Sequence, residues 1–384
     1  MLPFGIGGFR FKEATKVTVV TYRKAMRYIM DQRSSMQDLR EQVADTDLCT
    51  GCGACVNLCP YYAAYEDRIV VLDECKMVDG ACIDICPRMP GDQEEIRRLL
   101  FNEKDITPEM GAVKAFFVAR AADARVRANA QHGGTVTALV NLALDEGLID
   151  TAILAGAGEH LLPAAMAITD DSEAMKVSKS RFVVSPNVAK FNELVKGKAK
   201  SIGVVATPCQ ALALAKMRVS RNQRLRENSK KLQLVIGLFC GWTFKWAALK
   251  EVLRAKVDID SIVGMDIPPS QYHSLEVHTT NGTVSISLDE VQKCVRSSCL
   301  VCNDMTAEYS DISVGSARLP EGWEEAKSWN QIVVRTDRGQ KLMDLARSKG
   351  VLEFRNVPDG NLDRLKKASL NNKKQGDEIS KTMA

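Results

Sequence analysis

Twelve cysteines stand in the 384-residue chain, and seven of them fall between positions 49 and 86. Cys49, Cys52, Cys55 and Cys59 read Cys-x2-Cys-x2-Cys-x3-Cys and are followed by Pro60, the spacing of a bacterial-type iron–sulfur run. The short gaps let three thiolates wrap one cuboidal cluster, while the fourth, a turn further along, points to a second cluster. Gly51 and Gly53 suit a loop that must bend tightly and bring its amides close to the cluster. A zinc ribbon would need two separate Cys-x2-Cys knuckles, which this run does not form. The chemistry implied is one-electron transfer.

A second run follows in altered form. Counting back from Cys86-Pro87, the expected ligand places fall on Cys82 and Asp79, because Asp79-Gly80-Ala81-Cys82 parallels Cys52-Gly53-Ala54-Cys55. Cys75 sits one residue beyond the standard spacing. The ligand-swapping rule assigns Cys49, Cys52, Cys55 and Cys86 to one cluster, and Cys75, Cys82 and Cys59 with Asp79 to the other. A carboxylate is a harder, more exchangeable donor than a thiolate, which makes that iron labile. The alternatives are that Asp79 is a turn residue and Cys75 shifts to fill the gap, or that the site holds three irons. Between the runs, the apolar segment 68–72 reads as a hairpin strand, the usual spacer of a two-cluster ferredoxin module.

Five cysteines remain: Cys209, Cys240, Cys294, Cys299 and Cys302. The segments 201–206 and 234–239 read as fully buried strands, with Cys209 and Cys240 just past their carboxyl ends. Ligands collect at that edge of an open α/β sheet. With the Cys299-x2-Cys302 knuckle they complete a four-thiolate set for a third cluster; the alternative is that they are free core thiols. Cys294 is left over and reads as structural.

A different chemistry is suggested by Gln131-His132-Gly133-Gly134-Thr135-Val136-Thr137, which runs into a helix with its apolar face at Val136, Leu139, Val140, Ala143 and Leu144, ended by Gly147. A Gly-Gly-Thr helix start presents amides and hydroxyls at the positive end of the dipole, a place for phosphate or pyrophosphate, or else is a simple turn. Lys179-Ser180-Arg181, ahead of a strand at 182–184, is a second phosphate clamp or an ordinary solvated basic pair. The four histidines show no metal-ligand spacing, and there is no Gly-x-Ser-x-Gly elbow, Walker loop or full dinucleotide fingerprint. Hydrolase and ATPase readings fall away.

These residues need elements to position them. With 52 Lys and Arg against 48 Asp and Glu, 45% hydrophobic and 26% charged residues, the chain has the composition of a globular protein of two or three domains. It has no apolar run of membrane-spanning length, no secretory signal and no long basic stripe, so a cytoplasmic protein with neither a membrane span nor a nucleic-acid partner is expected. Residues 1–45 form a lead segment that docks a partner or packs on the module, with a strand at 17–22, two helices, and Ser35 with Asp38 as a capping box. Residues 46–108 form the iron–sulfur module, closed by Pro87 and Pro90 and a connecting helix at 94–101. Residues 109–355 form the second domain, opening near Gly111 with a strand through 112–118. Residues 356–384 read as a basic tail, polar, Lys-rich and mobile from about Lys366, or else docking a partner.

The second domain resembles the family of beta subunits of coenzyme F420-reducing hydrogenases and dehydrogenases. The matching pieces are 131–138, Thr207-Pro208-Cys209-Gln210, Leu238-Phe239-Cys240, Cys299-Leu300-Val301-Cys302-Asn303-Asp304, Asp311-Ile312-Ser313-Val314-Gly315 and Val333-Val334-Arg335-Thr336, in the family's order. The resemblance implies an α/β flavin-binding domain after a two-cluster ferredoxin-like module. It implies FAD held near Gln131, Gly133, Gly134, Thr135 and Thr137, near Lys179, Ser180 and Arg181, and near Thr207 and Pro208. It also implies a 4Fe–4S cluster on Cys209, Cys240, Cys299 and Cys302, three clusters in all. The chain departs from the family in Gln-His-Gly-Gly for Gln-Gly-Gly, in Lys-Ser-Arg for Gly-Ser-Lys, and at Asp79. The implied activity is hydride exchange between coenzyme F420 and FAD, with single electrons passing to or from a partner redox subunit of hydrogenase, formate dehydrogenase or heterodisulfide reductase type. Flavin is the cofactor that converts two-electron to one-electron transfer, so no side chain is named as catalytic. The rivals are a relative using NAD(P)H or ferredoxin or reducing an organic substrate directly, and an electron relay with no substrate site.

Overall fold

The computed structural model describes residues 34–158, 161–177, 181–268 and 273–383. The strand expected at 17–22 lies outside the described residues, as do Lys179 and Ser180.

An eight-stranded mixed sheet carries the second domain. Its strands are β1 (Ala115–Ala121), β2 (Thr151–Ala157), β3 (Pro163–Ile168), β4 (Ile202–Ala206), β5 (Leu232–Leu238), β6 (Ile312–Ser316), β7 (Asn330–Val334) and β8 (Leu352–Arg355). They lie in the order β8-β1-β7-β6-β5-β4-β2-β3. The four central strands β6, β5, β4 and β2 are parallel, and the flanking pairs are antiparallel. All five residues of β4 are buried, which is why it reads as a continuous apolar run: helices cover both faces of a parallel sheet. One face packs on the helix α1 (Thr135–Asp145), through Leu139, Val140 and Ala143, and on the helix Asp337–Ser348. The other packs on the helices Asn187–Leu194 and α2 (Pro208–Val219).

The cysteine-rich module is built into that second core. Cys52, Ala54, Leu58 and Ile85 share one apolar cluster with Val188, Phe191, Val204 and Leu214. Its hairpin pairs Tyr62–Tyr65 with Arg68–Val71 as expected, a short helix Ala81–Ile85 leads into Cys86, and the connecting helix is Gln93–Leu100.

Four expectations need correction. Ser34, not Ser35, caps the helix Ser35–Leu39, accepting from the Gln37 amide; Ser35 is buried and instead grips the 77–80 loop, donating to Val78 O and accepting from Gly80 N, each at 2.6 Å. The strand opening at Gly111 is two strands, because Gly111–Ala112 pairs with Ile106–Thr107 before the chain crosses to β1. No strand forms at 182–184; Val183 makes a single bridge to Phe244. The tail expected to be mobile is a 23-residue helix, α3 (Asn361–Met383), docked by contacts that carry little hydrophobic signal. Its buried residues include Asn361, Leu365, Ser369 and Gly376, of which only Leu365 is large and apolar.

Candidate functional site

The thiols sort into groups by proximity. Burial, and then the nearby Cys52, Cys49, Cys86 and Cys82 in that order, hold the Cys55 thiol well above its usual pKa. Cys86 is likewise raised by burial and by Cys49, so the far end of the module returns its cysteine to the first run. Cys82 is raised by burial and by Cys59, and its Sγ lies 3.9 Å from the Tyr62 hydroxyl. Cys75 stands apart on the outer loop, its Sγ accepting the Met77 amide at 3.4 Å, and Asp79 on the same loop is exposed.

The third group assembles from three distant segments. Cys240 is raised well above the usual thiol range by burial and by Cys299, Cys209 and Cys302, and burial pushes Cys302 up to about 12. Cys52 is raised by burial and next by Cys209, which places the first and third groups side by side. Crowded, desolvated thiols resist ionisation for want of positive charge. An iron–sulfur core is what such a donor set fits, since coordination deprotonates the thiol outright. No three His, Cys, Asp or Glu side chains among the described residues converge on a point suited to a single metal ion; a cuboidal cluster holds its thiolates further apart.

Polar clamps hold these loops. The buried pair Arg296–Asp67, at 2.7 Å, joins the Cys299 segment to the hairpin turn, and Arg296 also donates to Cys49 O at 3.3 Å. Asp67 accepts the Trp246 amide at 2.9 Å. Asn192 donates to Ala54 O and Val56 O at 2.8 Å each, and Lys216 of α2 donates to Cys86 O at 2.7 Å. Gly51 and Gly53 take positive φ, as the bend requires, and a Cβ on Gly53 would meet that of Ala189 at 2.8 Å. Behind Cys302, buried Asp304 accepts the amides of Thr306 and Glu308 at 2.9 Å. Burial lifts the Asp304 carboxyl to about 6. Buried Arg335 donates to Ser313, Met110 O, Ala112 O and Thr306. Both residues thus brace the loops behind the third group, and the Asp304 carbonyl oxygen lies 3.4 Å from Cys302 Sγ.

Helix α3 closes this region. Lys373 pairs with the buried Glu308 carboxylate and donates to Asn303 O at 3.3 Å, while Gly376 sits so close that a Cβ there would lie 2.5 Å from Cys302 O. Ser369 donates to Glu109 O at 2.7 Å.

A cavity of about 760 Å³ lies at the carboxyl edge of the central strands, adjoining the third cysteine group. Its wall includes Gln131, Gly134, Thr135, Thr137, Arg181 and Thr207, all expected from sequence, together with Cys240. Gly133 and Pro208 do not line it. Gly133 serves packing instead, since a Cβ would lie 2.7 Å from Asn330 Oδ1, and Pro208 opens α2 behind a Thr207–Gln210 capping box. The first amide of α1, Thr135 N, is already donated to Asn330 Oδ1 at 3.3 Å. Sequence reasoning missed the cavity residues Arg318, Arg364, Gln331 and Asn330, which come from strand ends and α3 and have no local motif. Burial lowers the Arg181 and Arg318 guanidinium pKa values, with no acidic group among the described residues opposing it. Wall residues also carry the buried, unpartnered atoms Gln131 Oε1, Arg181 Nε and Gln331 Oε1. Volume, uncompensated cations and orphaned polar atoms together fit a dinucleotide-sized anion, the volume lying within the range of small-molecule and cofactor sites. The Gln131 amide nitrogen is held by Asp266 of the small antiparallel sheet.

Known proteins resemble this chain over most of its length. Residues 116–191 and 199–360 match the N-terminal and C-terminal parts of the coenzyme F420 hydrogenase/dehydrogenase beta subunit, and residues 43–65 match the 4Fe–4S binding domain. The coenzyme F420 hydrogenase subunit beta of Methanococcus voltae is 30% identical over 70% of this chain and 94% of its own. An F(420)H(2) dehydrogenase subunit of Methanosarcina mazei is 27% identical over 80% of this chain and 85% of its own. The coenzyme F420-dependent sulfite reductase of Methanocaldococcus jannaschii is 28% identical over 85% of this chain, but the chain spans about half (51%) of that protein's length. A chain of the F420-reducing NiFe hydrogenase complex from Methanosarcina barkeri superposes with a TM-score of 0.66 at 25% identity, over 72% of this chain and 94% of that one. The chain belongs to the coenzyme F420 hydrogenase/dehydrogenase family of beta subunits, a class of oxidoreductase subunits, and carries a 4Fe–4S binding domain ahead of the family region.

Proposed function

We propose that this chain is an iron–sulfur flavoprotein subunit that exchanges hydride between coenzyme F420 and FAD and passes single electrons to or from a partner redox enzyme. The observation that carries the reading is the shared wall: Cys240 belongs at once to the 760 Å³ cavity and to the four-cysteine group. When bound, FAD supplies the conversion between two-electron and one-electron transfer. In this reading Arg181 and Arg318 hold its pyrophosphate, and Gln131, Thr135 and Gln331 orient it. Four cysteines (Cys209, Cys240, Cys299 and Cys302) hold the cluster beside it. Cys49, Cys52, Cys55 and Cys86 hold the next, neighbours through Cys52 and Cys209, and Cys59, Cys75 and Cys82, with Asp79 or a turn in its place, hold the outermost. The two-cluster ferredoxin-like module at 46–108 is thus the conduit toward the partner, and 109–355 the flavin domain.

The wiring is tested with Cys209→Ala in stopped flow. Flavin bleaching by reduced F420 is expected to survive while reduction of the module's clusters fails; rapid reduction of those clusters in the variant contradicts this order of transfer.

A further inference from the structure

Two threonines stand in the wall between the cavity and the third cysteine group. Thr207 places its hydroxyl 3.3 Å from Cys209 Sγ, but the same hydroxyl caps α2. Among the described residues the Thr243 hydroxyl has no other hydrogen-bond partner than sulfur. Its backbone amide lies 3.4 Å and its hydroxyl 3.6 Å from Cys299 Sγ, and it is buried at 9% exposure while lining the cavity. Its carbonyl accepts the Arg296 amide at 3.0 Å, and Arg296 is itself locked to Asp67. The hydroxyl is therefore presented to sulfur by a fixed backbone.

We propose that Thr243 is a positioning residue that tunes the third cluster, donating both its amide and its hydroxyl to the Cys299 sulfur at the corner where that cluster meets the cavity. The inference rests on the cluster reading of Cys209, Cys240, Cys299 and Cys302. A ligating thiolate carries no proton, so the hydroxyl must be the donor. Hydrogen bonds to cluster sulfurs draw electron density from the core and favour its reduced, more negative state, which raises the potential. Removing one such donor lowers the potential, leaving the amide to hold the sulfur in place.

The test compares Thr243→Val, which keeps the shape and loses the hydroxyl, with Thr243→Ser, which keeps the hydroxyl. Reconstituted protein is titrated anaerobically and the clusters are followed by electron paramagnetic resonance. In the valine variant the reduction equilibrium of one cluster is expected to fall roughly tenfold, which is about 59 mV for a one-electron centre; the serine variant should titrate as wild type. An unchanged potential in Thr243→Val with full iron content overturns the assignment alone. Loss of iron from that variant also overturns it, since the hydroxyl would then be holding the loop. Absence of a third cluster signal from the wild-type protein overturns both the tuning and the cluster reading beneath it.

Discussion

Arg296 and Asp67 are the residues on which the junction between module and sheet turns. The pair is buried, and removing one partner strands the other charge away from water. Arg296→Met should therefore cost about 3–5 kcal/mol, read as a fall in the midpoint of chemical unfolding. His132 packs edge-on against Trp323. Burial lowers its pKa below the usual 6.5, with Arg318 adding to the effect and Asp266 opposing it. The unfolded chain then binds the proton more readily than the folded one, so His132 removes stability as pH falls below 6.5. His132→Gln should flatten that part of the thermal-stability profile; an unaltered profile would show that His132 does not contribute. For Arg181→Ala, loss of a charged hydrogen-bonding partner worth about 1.5–3 kcal/mol predicts a roughly tenfold to hundredfold weaker FAD dissociation constant, measured by fluorescence on flavin-free protein.

At the scale of elements, what could be read in the sequence was what is local or periodic. The run from Cys49 to Cys59 declares itself by spacing, the hairpin by its apolar strand, β4 by unbroken apolar residues and β5 by the apolar run from Leu234. Cys209 and Cys240 follow strands that end at one edge of the sheet, and the Cys209 thiol raises that of Cys240. Helix α3 could not be found that way. Its anchors are Lys373 on Glu308, Ser369 on Glu109 and Gly376 on Cys302, which are long-range, polar or small. Arg318 and Arg364 were missed for the same reason, since no local pattern announces a guanidinium aimed at a cavity formed by other elements. Gly376→Val tests the weight of α3: with its Cβ forced toward Cys302 O, the protein should lose about one cluster's worth of iron, measured by iron and acid-labile sulfide assay. Lys374→Ala, on the exposed side of the helix, should keep full iron. Equal iron in both variants would show that α3 does not shape the cysteine loop.

Across the whole molecule the cavity and the cysteine groups follow one another as neighbours. The cavity at the sheet's carboxyl edge adjoins Cys240; the group containing Cys240 meets Cys52 through Cys209; Cys55 and Cys59 lead to Cys82 and to the outer loop bearing Cys75. The shared apolar core, with Cys52 and Ile85 among the residues of α2 and β4, makes module and sheet one packed body, which suits sites that must keep fixed separations. No helix among the described residues is long and apolar enough to cross a membrane. In the proposed function the cavity exchanges electrons with a deazaflavin and the cysteine groups connect it to a partner. The most direct test of that proposal is anaerobic: iron-replete, FAD-loaded protein is mixed with reduced coenzyme F420 and, in parallel, with NADH, and flavin and cluster absorbance are followed. Reduced F420 should bleach both chromophores rapidly and NADH neither. Bleaching by NADH alone, or by neither donor, would contradict the proposal.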